Sequence, residues 1–176
     1  MSQPDPLPLA GSRRLLAALP TPCGEPGVVD PAAMARLAVQ VARHGCDGVF
    51  VLGSTGEMVL IDEVERRKLT SETRRQLDSS TLLYVGIGGF GAKQATRYAA
   101  LAGRDGADVA VAMAPFFQRL DQTQLVSHFE QIADHSPIPV GIYHHLRMNS
   151  PISVQTIARL AEHPNLVAYK DTSTEL

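Results

Sequence analysis

Six short apolar runs alternate along this chain with five stretches whose apolar residues recur at helical spacing. The runs are 15–19, 48–52, 82–87, 109–113, 140–143 and 166–169. Each is nearly continuous in apolar character, as strands covered on both faces must be. Between the first two, Met34, Leu37, Ala38 and Val41 fall at i, i+3, i+4 and i+7. They follow Asp30-Pro31, a cap with proline at the first turn, and precede Gly45. Ala95, Tyr98, Ala99 and Ala102 repeat the stripe before Gly103, and Leu125, Phe129, Ile132 and Ala133 form another. Val154, Ile157, Ala158 and Ala161 form the last. Asp62 with Glu65 has the capping-box spacing for a helix over 62–78, although its stripe is weaker. The predicted order is β(αβ)5, with right-handed crossovers. Gly45-Cys46-Asp47-Gly48-Val49 and Gly106-Ala107-Asp108-Val109 lie 61 residues apart, the length of two βα units.

Two architectures accommodate this order: an open doubly wound sheet, or part of an eight-stranded barrel. In a flat sheet with strands in chain order, the second and sixth would lie about four steps of ~4.8 Å apart. In a barrel, all strands deliver their C-terminal ends to one mouth. The polar residues at the strand ends can cooperate only in the barrel.

Composition narrows the function classes. The chain has 176 residues, 44% of them hydrophobic, enough for one core and no second domain. Net charge is −2, without the basic stripe that nucleic acid requires. Arg66-Arg67-Lys68 and Arg74-Arg75 are interleaved with Asp62, Glu63, Glu65 and Glu72. They read as a solvated outer face, with Glu63 and Arg67 paired four apart. No run approaches the roughly 18 apolar residues of a membrane span. Cys23 and Cys46 lack metal or framework spacing and read as free thiols of a reducing, cytoplasmic compartment. Residues 1–13 are polar and proline-rich and are expected to form a disordered tail before a single unit over 14–176.

Three chemically suggestive groups close apolar runs. Lys170 ends Leu166-Val167-Ala168-Tyr169-Lys170; Tyr143 ends the fifth run; Gly53-Ser54-Thr55-Gly56-Glu57 follows the second. Residue parity places Leu166, Ala168 and Lys170 on one face, and Gly141 beside Tyr143 on its strand. Small residues thus lie beneath both reactive groups. A lysine amine titrates near about 10.4 in water, so imine chemistry needs a dry pocket on a rigid strand to favour the neutral form. The competing reading is a lysine that snorkels at the strand end and pairs with Asp171. The glycine-rich turn can aim N–H groups at a carboxylate, or be ordinary loop chemistry. Tyr143 can shuttle a proton, or simply pack its ring.

Taken together, Gly48-Val49-Phe50-Val51-Leu52-Gly53-Ser54-Thr55-Gly56-Glu57, Tyr143 and Ala168-Tyr169-Lys170-Asp171-Thr172 resemble the dihydrodipicolinate synthase/N-acetylneuraminate lyase family. The resemblance runs from about residue 14 to the end, and Leu19-Pro20-Thr21-Pro22 is similar to that family's opening turn. It implies the α/β, (β/α)8 TIM barrel fold, here as an incomplete barrel of about six parallel strands and five helices. It also implies a homo-oligomer that binds a 2-oxo acid such as pyruvate as an imine, without a cofactor, and joins it to or cleaves it from an aldehyde. On that resemblance Lys170 is the Schiff-base nucleophile and Tyr143 the proton shuttle. Ser54 shares the relay and, with Thr55 and Gly53, holds the keto acid's carboxylate. His144 and Arg147 fall where the second substrate binds. The chain departs from the synthases at Pro115-Phe116-Phe117, where they have Pro-Tyr-Tyr, and at His144-His145-Leu146, where they have Asn-x-Pro. The resemblance therefore implies an aldolase or hydratase relative whose acceptor is left open.

Other signals carry less. His144-His145 point apart on an extended chain and have no third metal ligand at suitable spacing. His44, His128, His135 and His163 read as helix-end or surface histidines. Gly86-Ile87-Gly88-Gly89-Phe90-Gly91 fits a dinucleotide-binding turn, but the next strand ends Val111-Ala112-Met113 without the acid that the fingerprint needs. Closed barrels of this kind have eight strands and run about 250 residues. The expectation is therefore a chain lacking the last two βα units, with exposed edges at its first and sixth strands. The alternative function is a catalytically inactive truncated fragment.

Overall fold

The computed structural model describes residues 14–25, 27–88, 91–145 and 148–173. The tail over 1–13 and Arg147 lie outside them. The strands are β1 (Leu16–Ala18), β2 (Gly48–Val51), β3 (Leu82–Gly86), β4 (Val109–Ala112), β5 (Val140–His144) and β6 (Leu166–Asp171). The helices are α1 (Pro31–Arg43), α2 (Glu63–Gln76), α3 (Ala92–Arg104), α4 (Gln122–His135) and α5 (Val154–Leu160), with a 3₁₀ turn at Met58–Leu60. All six strands are parallel and pair in chain order.

That order decides the architecture. With every crossover advancing the same way around the sheet, right-handedness puts every helix on the same side. Successive helices accordingly pack on one another, α1 on α2 through to α4 on α5. The opposite face closes on itself: Phe50 of β2 lies 4.9 Å from the Lys170 amine of β6. Four flat strand steps would separate those strands by about 19 Å. The described residues thus form an incomplete (β/α)8 barrel, and β2, β3, β4 and β5 are buried along their whole lengths.

Local chemistry sets the element boundaries. Asp30 caps α1 ahead of Pro31, and capping boxes open α2 (Asp62 with Glu65) and α4 (Asp121 with Gln124). The repeated Gly-x-Asp signal does the same work twice. Gly45 and Gly106 take positive φ (100° and 93°) just beyond α1 and α3. The aspartate that follows each accepts a backbone N–H from the preceding strand's start: Asp47 from Leu15 and Asp108 from Leu83, both at 2.7 Å. These bonds tie neighbouring strands together at their N-terminal ends.

Four expectations are corrected. α3 runs through Gly103. In α5 the buried residues are Thr156 and Leu160, while Val154 is 80% exposed. Val154 and Ile157 both line a groove of about 700 Å³ beside β6, and of the two only Ile157 also packs against the core. The β5–β6 register slips between Val140 and Gly141, so the parity that unites Ala168 with Lys170 does not reach Leu166. The basic run is not uniformly solvated. Arg66 is buried, Arg67 pairs with Asp105, and Glu63 pairs with Arg97 on the neighbouring helix. Among the described residues no helix is long and apolar enough to cross a membrane.

Candidate active site

The turn after β2 is held in a conformation its residues do not choose. Leu52 and Glu57 both take left-handed backbone angles (φ 56° and 54°), which cost about 1–3 kcal/mol each for residues other than glycine. Three neighbours enforce this shape. Gly86 lets the Leu52 carbonyl pass; a Cβ there would lie 1.8 Å from that oxygen. Thr21 donates its hydroxyl to the Gly56 carbonyl at 2.6 Å, joining the turn after β1 to the turn after β2. Arg66 reaches in from α2. Its guanidinium donates to Ile61 O (3.1 Å), Gly86 O (3.0 Å) and Met58 O, and lies 4.6 Å above the Tyr98 ring. Burial draws this guanidinium below its ordinary value, and the Tyr98 phenol opposes that shift.

Ser54 projects from this turn, exposed, with its Oγ 3.1 Å from the Tyr143 hydroxyl. Tyr143 is 2% exposed, and its ring meets Phe50 edge-on at 6.3 Å. Lys170 is the strand partner of Tyr143, and its Nζ sits 4.2 Å from that ring's centre. Below them Gly141 pairs with Ala168, where a Cβ on the glycine would come within 3.4 Å of Ala168 Cβ. Three strands thus supply an amine, a phenol and a hydroxyl to one concave end. The Lys170 amine lies over the Phe50 and Tyr143 rings and does not pair with Asp171. Asp171 instead accepts from Ser173 N (2.6 Å) and Tyr169 OH (3.3 Å) and lies 3.4 Å from His144 Nδ1. The Ser173 backbone bond, followed by weaker contributions from its side chain, His144 and Tyr169, holds the Asp171 carboxyl below the usual range. Burial, then the Asp171 charge, pushes the Tyr169 phenol up to about 12.

Comparison with known proteins agrees with this geometry. The dihydrodipicolinate synthetase family matches residues 11–176. The chain belongs to that family. It is 34% identical to 4-hydroxy-tetrahydrodipicolinate synthase 1 of Streptomyces coelicolor over 93% of its own length and 54% of the relative's. The synthase of Oenococcus oeni is 30% identical, over 95% of this chain and 58% of the relative. Among solved structures, dihydrodipicolinate synthase from Aquifex aeolicus superposes with a TM-score of 0.87 at 30% identity, covering 93% of this chain and 56% of that one. The Acinetobacter baumannii synthase, crystallised with pyruvate, gives 0.88 at 26% identity over 92% and 56%. The chain spans about half the length of the curated relatives it matches.

Within this member of the synthetase family, the residues expected from sequence separate into two groups. Lys170, Tyr143, Ser54 and Gly53 come together, with Thr55 exposed on the same turn. Gly53 sits against the Phe50 ring, where a Cβ would come within 2.7 Å. His144 does not join them. Parity turns it to the outer face of β5, where it is 8% exposed, with Tyr169 OH 3.2 Å from its Nδ1. His145 takes the place expected of His144, with its ring centre 5.6 Å from Tyr143's and its side chain lining a cleft next to Ser54. His128 is likewise not a surface residue: it is buried, with Nε2 3.1 Å from the Met113 carbonyl. Of the dinucleotide-like turn, Gly89 and Phe90 lie outside the described residues. Gly88 packs against the Met58 side chain, where a Cβ would come within 3.0 Å. Arg66 was missed because its partners come from other βα units. Its only sequence signal is a cation at a position that the α2 periodicity turns inward.

Proposed function

We propose that this chain forms a Schiff base between Lys170 and a 2-oxo acid such as pyruvate, and makes or breaks a bond to an aldehyde through the resulting enamine. The observation that carries this reading is the convergence of the Lys170 amine, the Tyr143 ring and the Ser54 hydroxyl from β6, β5 and the turn after β2. The neutral amine attacks the keto carbon and forms a carbinolamine. Tyr143 protonates the departing hydroxyl, and the Tyr143–Ser54 bond returns the proton, so water leaves and the iminium forms. Ser54, Thr55 and the Gly53 turn take the carboxylate, fixing the keto carbon beside the amine. The iminium then draws electrons from the adjacent C–H bond, giving the enamine.

Incubation with pyruvate and borohydride is expected to leave a reduced adduct on Lys170, located by peptide mass spectrometry, and Lys170→Ala is expected to abolish it. A folded protein that gives no adduct refutes the reading. A second reading, a folded chain that captures no keto acid, has one observation in its favour. Lys170 stands on β6, whose outer side has no strand partner among the described residues. Circular dichroism and size-exclusion chromatography on the same sample separate a misfolded chain from a folded, inactive one.

A further inference from the structure

Directly behind the Lys170–Tyr143 pair, on the outer face of the same two strands, stands a second polar cluster that takes no part in the chemistry above. Its members are His144, Tyr169 and Asp171. Each is a chain neighbour of a reacting residue: His144 follows Tyr143, and Tyr169 and Asp171 flank Lys170. The strand register pairs them in the same order, Tyr143 with Lys170 and then His144 with Asp171. His144 Nδ1 lies 3.4 Å from Asp171 Oδ1 and 3.2 Å from the Tyr169 hydroxyl, which reaches Asp171 Oδ2 at 3.3 Å. The two rings stack at 24°, with centres 6.5 Å apart. The backbone closes over this cluster. Thr172 donates its N–H (3.2 Å) and its hydroxyl (3.3 Å) to the His144 carbonyl, and the Ser173 N–H donates to Asp171 Oδ1 at 2.6 Å.

We propose that His144 is a positioning residue for imine formation: with Tyr169 and Asp171 it locks the ends of β5 and β6 together from the outer face, and so sets the spacing of Tyr143 and Lys170 on the inner one. The proposal rests on the Schiff-base reading above and names the group that aligns its two reacting side chains. The need for such a group is geometric. The β5–β6 ladder slips between Val140 and Gly141, below the reacting pair, so only four regular residue pairs follow, from Gly141–Ala168 to His144–Asp171. The His144–Asp171 pair is the last of them, and the ends of elements fray unless their final contacts are held. Adjacent residues on a strand point to opposite faces, so a shift of His144 against Asp171 is also a shift of Tyr143 against Lys170. A misplacement of about 1 Å between reacting groups can cost about 10²-fold in rate.

The clamp holds wherever the imidazole proton sits. A protonated Nδ1 donates to Asp171, and the Tyr169 hydroxyl donates to the same carboxylate; an unprotonated Nδ1 accepts from Tyr169 instead. In both arrangements His144 stays tied to β6. Its burial, at 8% exposed, limits competition from water and strengthens those bonds. The Tyr169 phenol, pushed up to about 12, keeps its proton and so remains a donor. None of the three side chains reaches the keto acid; they act through the residues beside them on their strands.

Single-turnover trapping with pyruvate and borohydride on the full chain tests this, read as a maximal rate and a half-saturating pyruvate concentration. A parent protein that forms no adduct refutes the Schiff-base reading; a parent adduct with the variants unchanged refutes this proposal alone. His144→Ala is expected to lower the maximal rate about tenfold or more. The half-saturating concentration should change by less than about threefold, since the turn after β2 holds the carboxylate. His144→Asn, whose amide nitrogen falls near the Nδ1 position, is expected to recover most of the rate. Tyr169→Phe removes one hydroxyl and keeps the ring stack. It should slow trapping about threefold in the parent and have no further effect in His144→Ala. Urea unfolding of each variant separates alignment from stability. A merely structural role lowers the midpoint and leaves the rate per folded molecule at the parental value, and that result overturns the proposal. So does a loss confined to the half-saturating concentration, or an asparagine variant as slow as the alanine one. Tyr169→Phe decides the matter even where His144→Ala does not fold: an unchanged maximal rate overturns the proposal.

Discussion

Replacing Arg66 by methionine keeps most of the stem's packing and removes the guanidinium, isolating what the polar contacts do. The native group is 7% exposed and gives three hydrogen bonds to backbone carbonyls of the 3₁₀ turn, the residue after it and β3. A hydrogen bond to a charged group contributes about 1.5–3 kcal/mol net, and the Tyr98 contact adds about 0.5–2 kcal/mol. These do not sum, because an arginine in the unfolded chain is well hydrated and water reaches some of the abandoned carbonyls. Taking roughly half the gross figure, Arg66→Met is expected to cost about 4 kcal/mol. With a urea slope of about 2 kcal/mol per molar, the unfolding midpoint drops by about 2 M. Arg66→Lys keeps the charge but not the planar fork, so it recovers only part of that loss. Urea unfolding followed by far-UV circular dichroism measures both variants. A loss below about 1 kcal/mol for methionine, or a lysine variant as stable as the parent, refutes the claim that this side chain clamps the Ser54 turn.

Other outcomes follow from the same structure. Burial holds the His128 imidazole below its ordinary value near 6.5, against the opposing bond to Met113. Below about pH 6.5 the unfolded chain therefore takes up a proton that the folded chain resists. Stability is intact above that pH and falls as pH drops toward the folded value. His128→Gln should flatten that part of the profile when urea midpoints are compared between pH 7.5 and 5.5; identical slopes would contradict it. Tyr143→Phe is expected to slow formation of the borohydride-trapped adduct by about 10²–10⁴-fold. Ser54→Ala should slow it comparably, with the double variant little worse than either, because one relay is broken in each case. Fully additive losses would show two independent routes. Gly86→Ala forces a methyl group into the Leu52 carbonyl and should cost about 3 kcal/mol or more. An unchanged melting temperature would show that the Leu52 turn is not held from β3.

What the chain spells out locally, it spells out well. The six strands, five helices, the Asp62–Glu65 box and the repeated Gly-x-Asp signal follow from spacing and turn chemistry, because each depends on residues a few positions apart. The alternation of strands and helices, with lysine, tyrosine and the glycine-rich turn at strand exits, also placed the candidate site at one end of the sheet. Parity was strong enough to separate Tyr143 from His144; following it one residue further would have chosen His145 for the mouth. The remainder depended on distant partners. Arg66 reads as one more surface cation until Gly86 and Tyr98 arrive from other units to surround it. The apolar stripe of α5 gives no sign that it faces a groove, since burial belongs to what lies opposite. Tertiary structure alone decided that Phe50 and Lys170 share one small volume, because the curvature of a sheet accumulates over strands and is written at none of them.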